Sequence, residues 1–570
     1  MSESRARRLL VVVLALGAAL RLAWQAWFAA DPAAWIAHGN AAGFLRVAQR
    51  IAGGEFLAGD EPFFYGPLYP YFLAPFFALA GRETLVLPRA AQALLGLGIS
   101  VLGWRIARRA FDPGAALATA ALLAVYGPAL FFEGLLVPTT LSTFLMLLGI
   151  DLASAALGPG DGGRAHGLRS VLAGVALGLA AWGRANLLAL VPLVAVLMLA
   201  GTRRAGAAWR RAWVPALLVF AGAAGAILPV AARNTLHAND TVLLVSQGGI
   251  NFFLGNNPEA RGWFGLAERA GIVTDADPAY FANTRAVAEA DLGRRLRPSA
   301  VSRYWLGRGW GWISAEPAAA ARLLGRKLAL LVDPYELPIH RNALYYLERF
   351  PAGWLLPGWG LLLPLALAGL LLVPRWEDLH TGLLAVALFY AGTVVAFFVS
   401  DRYRFPLVPL LAPFAGFAAA RFVSAGARWC HGAVVPERRR LGLALGAALG
   451  AAALLHAPGF SRVGPTERAA FLAIEHYRHG RAWEEFDDVA AAIAAYEQAL
   501  AVAPGHVESR LRQSVLLGRL GRVDEARAVA ETLLSLRPDL DEARRVIEIL
   551  DASVERARKA ASPMPSSTGG

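Results

Sequence analysis

The first pattern along the chain is long runs of apolar residues that end in arginine. A membrane-crossing helix needs about 20 predominantly apolar residues, and cytoplasmic ends carry the excess of Lys and Arg. On these rules the chain predicts spans at about 9–29, 86–106, 112–131, 135–156 and 213–232, then at 354–373, 380–399, 405–423 and 441–457. The run 170–201 is interrupted at Gly183-Arg184-Ala185-Asn186 and predicts two short spans with Arg184 at the outer face. The total is about 11 spans, with the basic N-terminus (Arg5, Arg7, Arg8) inside and the C-terminus outside. The first apolar stretch runs to about Ala30 without a cleavage site, so it is expected to remain as a span.

Two segments between spans are expected as outer loops, about 30–85 and 233–353. Pro67, Pro70 and Pro75 make Phe63–Ala80 a poor straight span and place it at the outer interface. The chain beyond residue 460 changes in kind. Pro504 and Pro538 lie 34 residues apart, and Ala492 and Ala526 keep that offset. A period of 34 is that of tetratricopeptide repeats, whose unit is a helical hairpin. They are expected over about 473–540, capped by flanking helices at 466–472 and 541–558. The fold class is therefore all-α. A membrane helical bundle over 1–460 is followed by a small soluble α-solenoid over 465–560 and a disordered tail over 561–570.

Composition agrees with this division. Of 570 residues, 56% are hydrophobic and 17% charged, against about 45–50% and 25% in soluble domains. The net charge of +13 resides in the membrane part, because Pro465 onward carries 14 Lys and Arg against 17 Asp and Glu. Those arginines close apolar runs, so they orient helices, and no nucleic-acid partner is expected. The single Cys430 excludes an intrachain disulfide and a cysteine zinc site.

Ionisable groups beside membrane spans are costly and therefore suggest function. On this topology Asp31, His38, Asn40, Asp60, Glu61, Glu133, Arg184, Arg233, Lys327, Glu336, Arg402 and Arg404 all fall on the outer side. Arg233-Asn234 ends a span. Ser246–Pro258 follows, with Gln247, Asn251, Asn256 and Asn257 as neutral donors and acceptors between glycines. Such a loop suits hydroxyl-rich or phosphate ligands, and equally a turn-rich surface loop. In Asp401-Arg402-Tyr403-Arg404 two arginines flank a tyrosine and could clamp a lipid phosphate or anchor the helix at the interface.

These pieces, in order, resemble a bacterial family-39 glycosyltransferase of the GT-C fold, related to protein O-mannosyltransferases and the lipid A aminoarabinose transferase. The matching stretches are Ala48–Gly54, Pro67–Ala74, Phe131–Leu136, Arg184–Asn186, Pro229–Asn234, Ser246–Pro258, Arg326–Leu328 and Arg402–Pro409. They cover about residues 9–424. Family members often carry a C-terminal tetratricopeptide extension.

The resemblance implies inverting transfer of a sugar from a polyprenyl-phosphate carrier to a protein or lipid/glycan acceptor, at the outer face of a bacterial inner membrane. Such chemistry needs a carboxylate for the acceptor's proton and cations at the departing phosphate. Arg402, Arg404 and Lys327 are candidates for the cations, supported by Arg233 or Arg184, with Tyr403 between the two arginines. The family's first outer loop holds an Asp four residues before an aromatic and eight before an Ala. Here Phe44 and Ala48 fit, but that position is Asn40, which cannot act as a base.

Three readings follow. Asp31 or Asp60 substitutes, Glu133 is the base, or the protein is an inactive polyprenyl-lipid-binding scaffold whose repeats recruit proteins. Glu133 is the first expectation and Asp31 the second. A transporter is disfavoured, since no matched pair of broken spans suggests inverted repeats. No metal-ligand spacing stands out, so no cofactor is expected, and a divalent metal stays open. The expected partners are the lipid-linked sugar, membrane lipids and an extracytoplasmic protein at the repeats.

Overall fold

The protein is described by a computed structural model over residues 2–36, 39–81, 84–158, 163–273, 278–339, 341–434 and 437–561. His38 and the tail 562–570 lie outside the described residues. The chain divides into two compact units, Met1–Phe28 with Ala37–Arg462, and Ala29–Ile36 with Val463–Gly570.

The first unit is a bundle of apolar helices. Among the described residues nine helices are long and apolar enough to cross a membrane, or ten if one bent pair is a single span. That pair, Pro113–Ala124 and Gly127–Gly134, bends by 48° where a straight span over 112–131 is expected. Its start is set by Asp112, whose carboxylate accepts from Gly114 N (2.8 Å) and Ala115 N (3.1 Å) ahead of Pro113, an N-cap with proline in the first turn. At the break the carbonyl of Ala124 accepts from the Arg21 side chain at 2.8 Å, and Gly127 N donates to Pro357 O at 2.9 Å. Backbone groups freed by the bend thus find partners inside protein, as a hydrocarbon surrounding demands.

The interruption at Arg184 is present as two spans, Arg164–Gly183 and Ala185–Arg204. The eleventh expected span is the helix Arg438–Leu455. Three arginines fill its first turn and leave too little apolar length for it to count among the nine. Its Ala444 and Ala448 nonetheless bury against Ala368, Leu372 and Phe417. Small residues set the closest helix approach. A Cβ on Gly174 would sit 2.0 Å from Val219 O, and one on Gly222 would sit 2.1 Å from Val171 O. Those two glycines let the helices Gly163–Gly183 and Trp209–Ala232 meet backbone to backbone.

The stretch 233–353, expected as a loop, is a helical subdomain with a core of its own. The helices Gly248–Gly255, Ala279–Leu292 and Pro298–Ala315 bury Ile250, Phe253, Leu254, Tyr280 and Trp305 together. Their lengths of 8, 14 and 18 residues and mixed polarity gave no span signal.

The second unit stacks five helices, Pro465–Glu485, Val489–Val502, Val507–Arg519, Val523–Leu536 and Asp541–Ala561, joined by short turns. Ala492 and Ala526, 34 residues apart, are both fully buried. Tyr496 packs so tightly on Gly480 that a Cβ there would meet its ring at 2.3 Å. The short segment Ala29–Ile36 belongs to this unit. Asp31 caps a single turn by accepting from Ala33 N at 2.8 Å, and its other oxygen lies 2.7 Å from His479 Nε2.

Candidate functional site

One cavity of about 240 Å³ opens in the first unit. Its lining gathers residues from five separated stretches, among them Asn40, Arg184, Gln247, Asn251, Arg402 and Tyr403. Each is held there by local structure. Arg184 sits in the break between two spans, where Gly183 permits close approach, since a Cβ would lie 2.1 Å from Ser142 Oγ. Arg402 and Tyr403 form one helical turn, Asp401–Arg404, capped by Ser400 Oγ accepting from Tyr403 N at 3.3 Å. The Tyr403 carbonyl accepts from Tyr390 Oη at 2.9 Å. Gln247 and Asn251 lie at the start of the helix Gly248–Gly255.

The two arginines dominate the electrostatics. Arg184 is 4% exposed and Arg402 is 8% exposed. Their guanidinium carbons lie 4.9 and 5.5 Å from the centre of the Tyr403 ring, within cation–π range. Arg184 donates to Thr139 Oγ1 at 3.0 Å. Among the described residues its Nε and Nη1, and the Nε of Arg402, are buried without a hydrogen-bond partner. Burial pushes the Arg402 guanidinium below its usual range, Tyr403 opposes that shift, and the like charge of Arg184 adds to it. Two buried cations with spare N–H groups at a cavity leave a place for an anion. Asn186 lines the same cavity and donates to Thr393 Oγ1 at 3.1 Å.

The other expected residues lie elsewhere and have partners. Glu133 is 1% exposed and its Oε1 accepts from Arg21 Nη2 at 2.8 Å. It borders a separate void of about 10 Å³, with Gly96, Tyr126 and Phe405. Asp31 is in the second unit, on His479. Asp60 lies 3.5 Å from His237. Arg233 donates to the carbonyls of Leu57 (2.9 Å), Glu61 (2.5 Å) and Gly59. Asn234 donates to Val242 O (3.0 Å) and Leu244 O (3.1 Å), and its Oδ1 accepts from Phe63 N at 3.3 Å. This pair therefore ties the segment 57–63 to the segment 242–246, bringing Tyr65, Gly66, Val245 and Gln247 to the cavity wall.

Arg404 binds Glu336 at 2.6 Å, Tyr335 O at 3.0 Å and Asp333 O. Beside it, burial and the Glu336 charge push the Asp401 carboxyl up to about 8. Asn257 closes its own helix through Phe253 O (2.9 Å) and Leu254 O (3.2 Å).

Asn256 accepts from Lys327 Nζ at 2.9 Å, and both are buried. Burial pushes the Lys327 ammonium down to about 8, from 10.5. Below about pH 8 the lysine is charged in folded and unfolded chains alike, and the burial penalty is full. Between about 8 and 10.5 the unfolded chain binds the proton more, so stability rises with pH. The unfolding midpoint of the purified protein should climb between pH 7.5 and 9.5, and Lys327→Met should flatten that climb. An equal climb in both proteins would assign it to other groups.

The cavity also uses Tyr65, Thr393, Val394, Phe397 and Phe398, which sequence reasoning passed over. Thr393 lies within an apolar span and carries no charge, so the rule that flags costly ionisable groups was silent on it. Among the described residues no group of three or more His, Cys, Asp or Glu is placed to hold a metal ion.

Residues 485–549 match the model of a tetratricopeptide repeat family. No curated protein matches the chain. Among solved structures, the archaeal oligosaccharyltransferase AglB from Archaeoglobus fulgidus, in complex with an inhibitory peptide and a dolichol-phosphate, is similar at a TM-score of 0.43 and 14% identity. That match covers 84% of this chain and 59% of the archaeal one. This chain thus spans about three fifths of that relative's length. ArnT from Cupriavidus metallidurans, bound to undecaprenyl phosphate, is similar at a TM-score of 0.42 and 14% identity, over 93% of this chain and 80% of that one.

Proposed function

We propose that this multi-pass membrane protein is a glycosyltransferase that moves a sugar from a polyprenyl-phosphate donor to an acceptor on the extracytoplasmic face. The observation that carries the reading is the pair of buried arginines, Arg184 and Arg402, at one cavity, with N–H groups that have no hydrogen-bond partner among the described residues. A lipid phosphate would complete their hydrogen bonding. The amides of Asn40, Gln247 and Asn251 would face the sugar hydroxyls as neutral donors and acceptors.

In the transfer, an acceptor oxygen attacks the anomeric carbon as the bond from that carbon to the phosphate oxygen breaks. The electron pair leaves on the lipid phosphate, and the negative charge it gains develops between the two guanidinium groups. The described cavity lining holds no carboxylate, so the proton lost by the acceptor passes to solvent water. Fixed cations aimed at developing charge are the strongest general means of lowering such a barrier.

Incubating the purified full-length protein with radiolabelled polyprenyl-phosphate sugars and membrane extract should give transfer of label. Tight binding of the lipid with no transfer from any donor would favour the second reading, a polyprenyl-lipid-binding scaffold. That reading draws on Asn40 standing where the resembled family has an Asp.

Topology has support of its own. The segment Ala29–Ile36 directly follows the first helix, and its Asp31 hydrogen-bonds His479 of the helix Pro465–Glu485. Segments bonded to one another share one side of a membrane. With the basic N-terminus inside, the repeat unit belongs outside, where it would hold an extracytoplasmic protein partner. A periplasm-active reporter fused after residue 460 should be active in a bacterial inner membrane, whereas a signal only from a cytoplasm-active reporter would reverse the assignment.

A further inference from the structure

The helix Leu407–Cys430 has the arginine-lined cavity at its N-terminal end. At about 1.5 Å per residue, Arg428 lies roughly 30 Å along the axis from Leu407, about one hydrocarbon thickness. A second pocket, of about 160 Å³, opens at that far end. It lies among the ends of three helices, Trp359–Leu372, Leu407–Cys430 and Arg438–Leu455. Leu372, Phe417 and Leu441 give it apolar walls, and Arg421, Ser424 and Arg428 line its rim.

We propose that this pocket binds the headgroup phosphate of an anionic phospholipid of the leaflet opposite the candidate active site. Two observations carry the proposal. The first is charge. Arg421 stacks on Phe417 at 4.9 Å and reaches only the half-exposed Asp112, at 3.3 Å, while Arg428 has no ion pair among the described residues. Arg438 and Arg439 stand exposed beside the rim. Glu437 is the one lining carboxylate and opposes the anion, so the local balance remains positive.

The second observation is shape. Arg440 donates to the carbonyls of Leu371 (3.1 Å) and Val373 (2.6 Å), beside the pocket-lining Leu372 and Pro374. It closes the end of the helix Trp359–Leu372 and fixes the wall. Trp429, next to Arg428 at the helix end, is 73% exposed. Basic pockets between the cytoplasmic ends of membrane helices suit anionic headgroups, at about 1 kcal/mol per arginine.

The bland alternative is that these arginines only orient the helix through the positive-inside bias. The two differ in what they retain. The full-length protein in detergent, titrated with phosphatidylglycerol or phosphatidylcholine and followed by native mass spectrometry, should keep phosphatidylglycerol preferentially. Arg421→Ala/Arg428→Ala should weaken that retention about thirtyfold. Arg421→Lys/Arg428→Lys should keep most of it, and its thermal midpoint should match the wild type, which separates lost binding from lost folding. Equal retention of both lipids by the wild type, or unchanged retention by the double alanine variant, would overturn the proposal. Neither lipid carries a polyprenyl chain, so the outcome is independent of the transferase reading.

Discussion

Arg402→Ala should lower sugar transfer from a polyprenyl-phosphate donor by about a hundred- to a thousandfold, the range for removing one preorganised donor at a developing charge. The fall should appear mainly in kcat, because the leaving phosphate gains its charge only as the anomeric bond breaks. Arg402→Lys should recover part of the rate. It restores the charge without the planar fork that can meet two phosphate oxygens together.

Arg184→Ala should behave similarly. The double variant should fall short of the product of the single effects, because both groups act on one phosphate. Stability should move the other way. Arg184 and Arg402 repel each other across Tyr403, and Arg402 Nε is buried without a partner among the described residues. Removing either charge relieves that repulsion, so the unfolding midpoint without ligand should hold or rise. This is the usual relation where a site is built for a ligand it does not yet hold. Wild-type turnover by the Arg402→Ala protein would remove the arginine pair from the chemistry.

That pair was legible in the sequence because its cost is local. An arginine that splits an apolar run, or two that flank a tyrosine at a span end, stands out without any knowledge of neighbours. The membrane class and the 34-residue repeat were legible for the same reason, since hydropathy and period are properties of the chain itself. What the sequence does not show is which partner relieves a costly group. Arg233 and Arg184 look alike in the sequence as arginines at span ends. Yet Arg233 is engaged by the carbonyls of Leu57, Gly59 and Glu61, some 170 residues away in sequence, while Arg184 keeps two nitrogens without a partner among the described residues. Lys327 faces Asn256 in the same way, and Arg404 faces Glu336. Asp31, in the segment after the first span, pairs with a histidine 448 residues later. The helices of 233–353 were missed for a different reason. They bury one another's faces within a subdomain, so none carries an apolar run long enough to register.

Glu133 shows the same ambiguity most sharply, and its partner gives the second large effect. Arg21→Ala should destabilise the folded protein by about 3–5 kcal/mol, the cost of leaving one member of a buried ion pair alone. Both side chains are at most 2% exposed and they meet at 2.8 Å. Arg21 also donates to Gly17 O at 3.2 Å and to Ala124 O at the break in the bent pair, so its loss exposes a helix end as well as a carboxylate. Gly96 cannot take a side chain without displacing the acid, because a Cβ there would fall 1.8 Å from Glu133 Oε1.

Replacing both partners, as Arg21→Met/Glu133→Leu, should recover most of the loss, since a packed apolar pair avoids two desolvation costs. Unfolding midpoints in one detergent would show the order, with the single variant far below the double. Glu133→Gln then separates support from catalysis. Loss of a general base lowers turnover by about a hundred- to ten-thousandfold, whereas a carboxylate that faces Arg21 and borders only a small separate void leaves turnover within about threefold. The geometry predicts the second result. A collapse of turnover in Glu133→Gln at an unchanged midpoint would instead make this acid the base and require the acceptor to enter beside the bent helix.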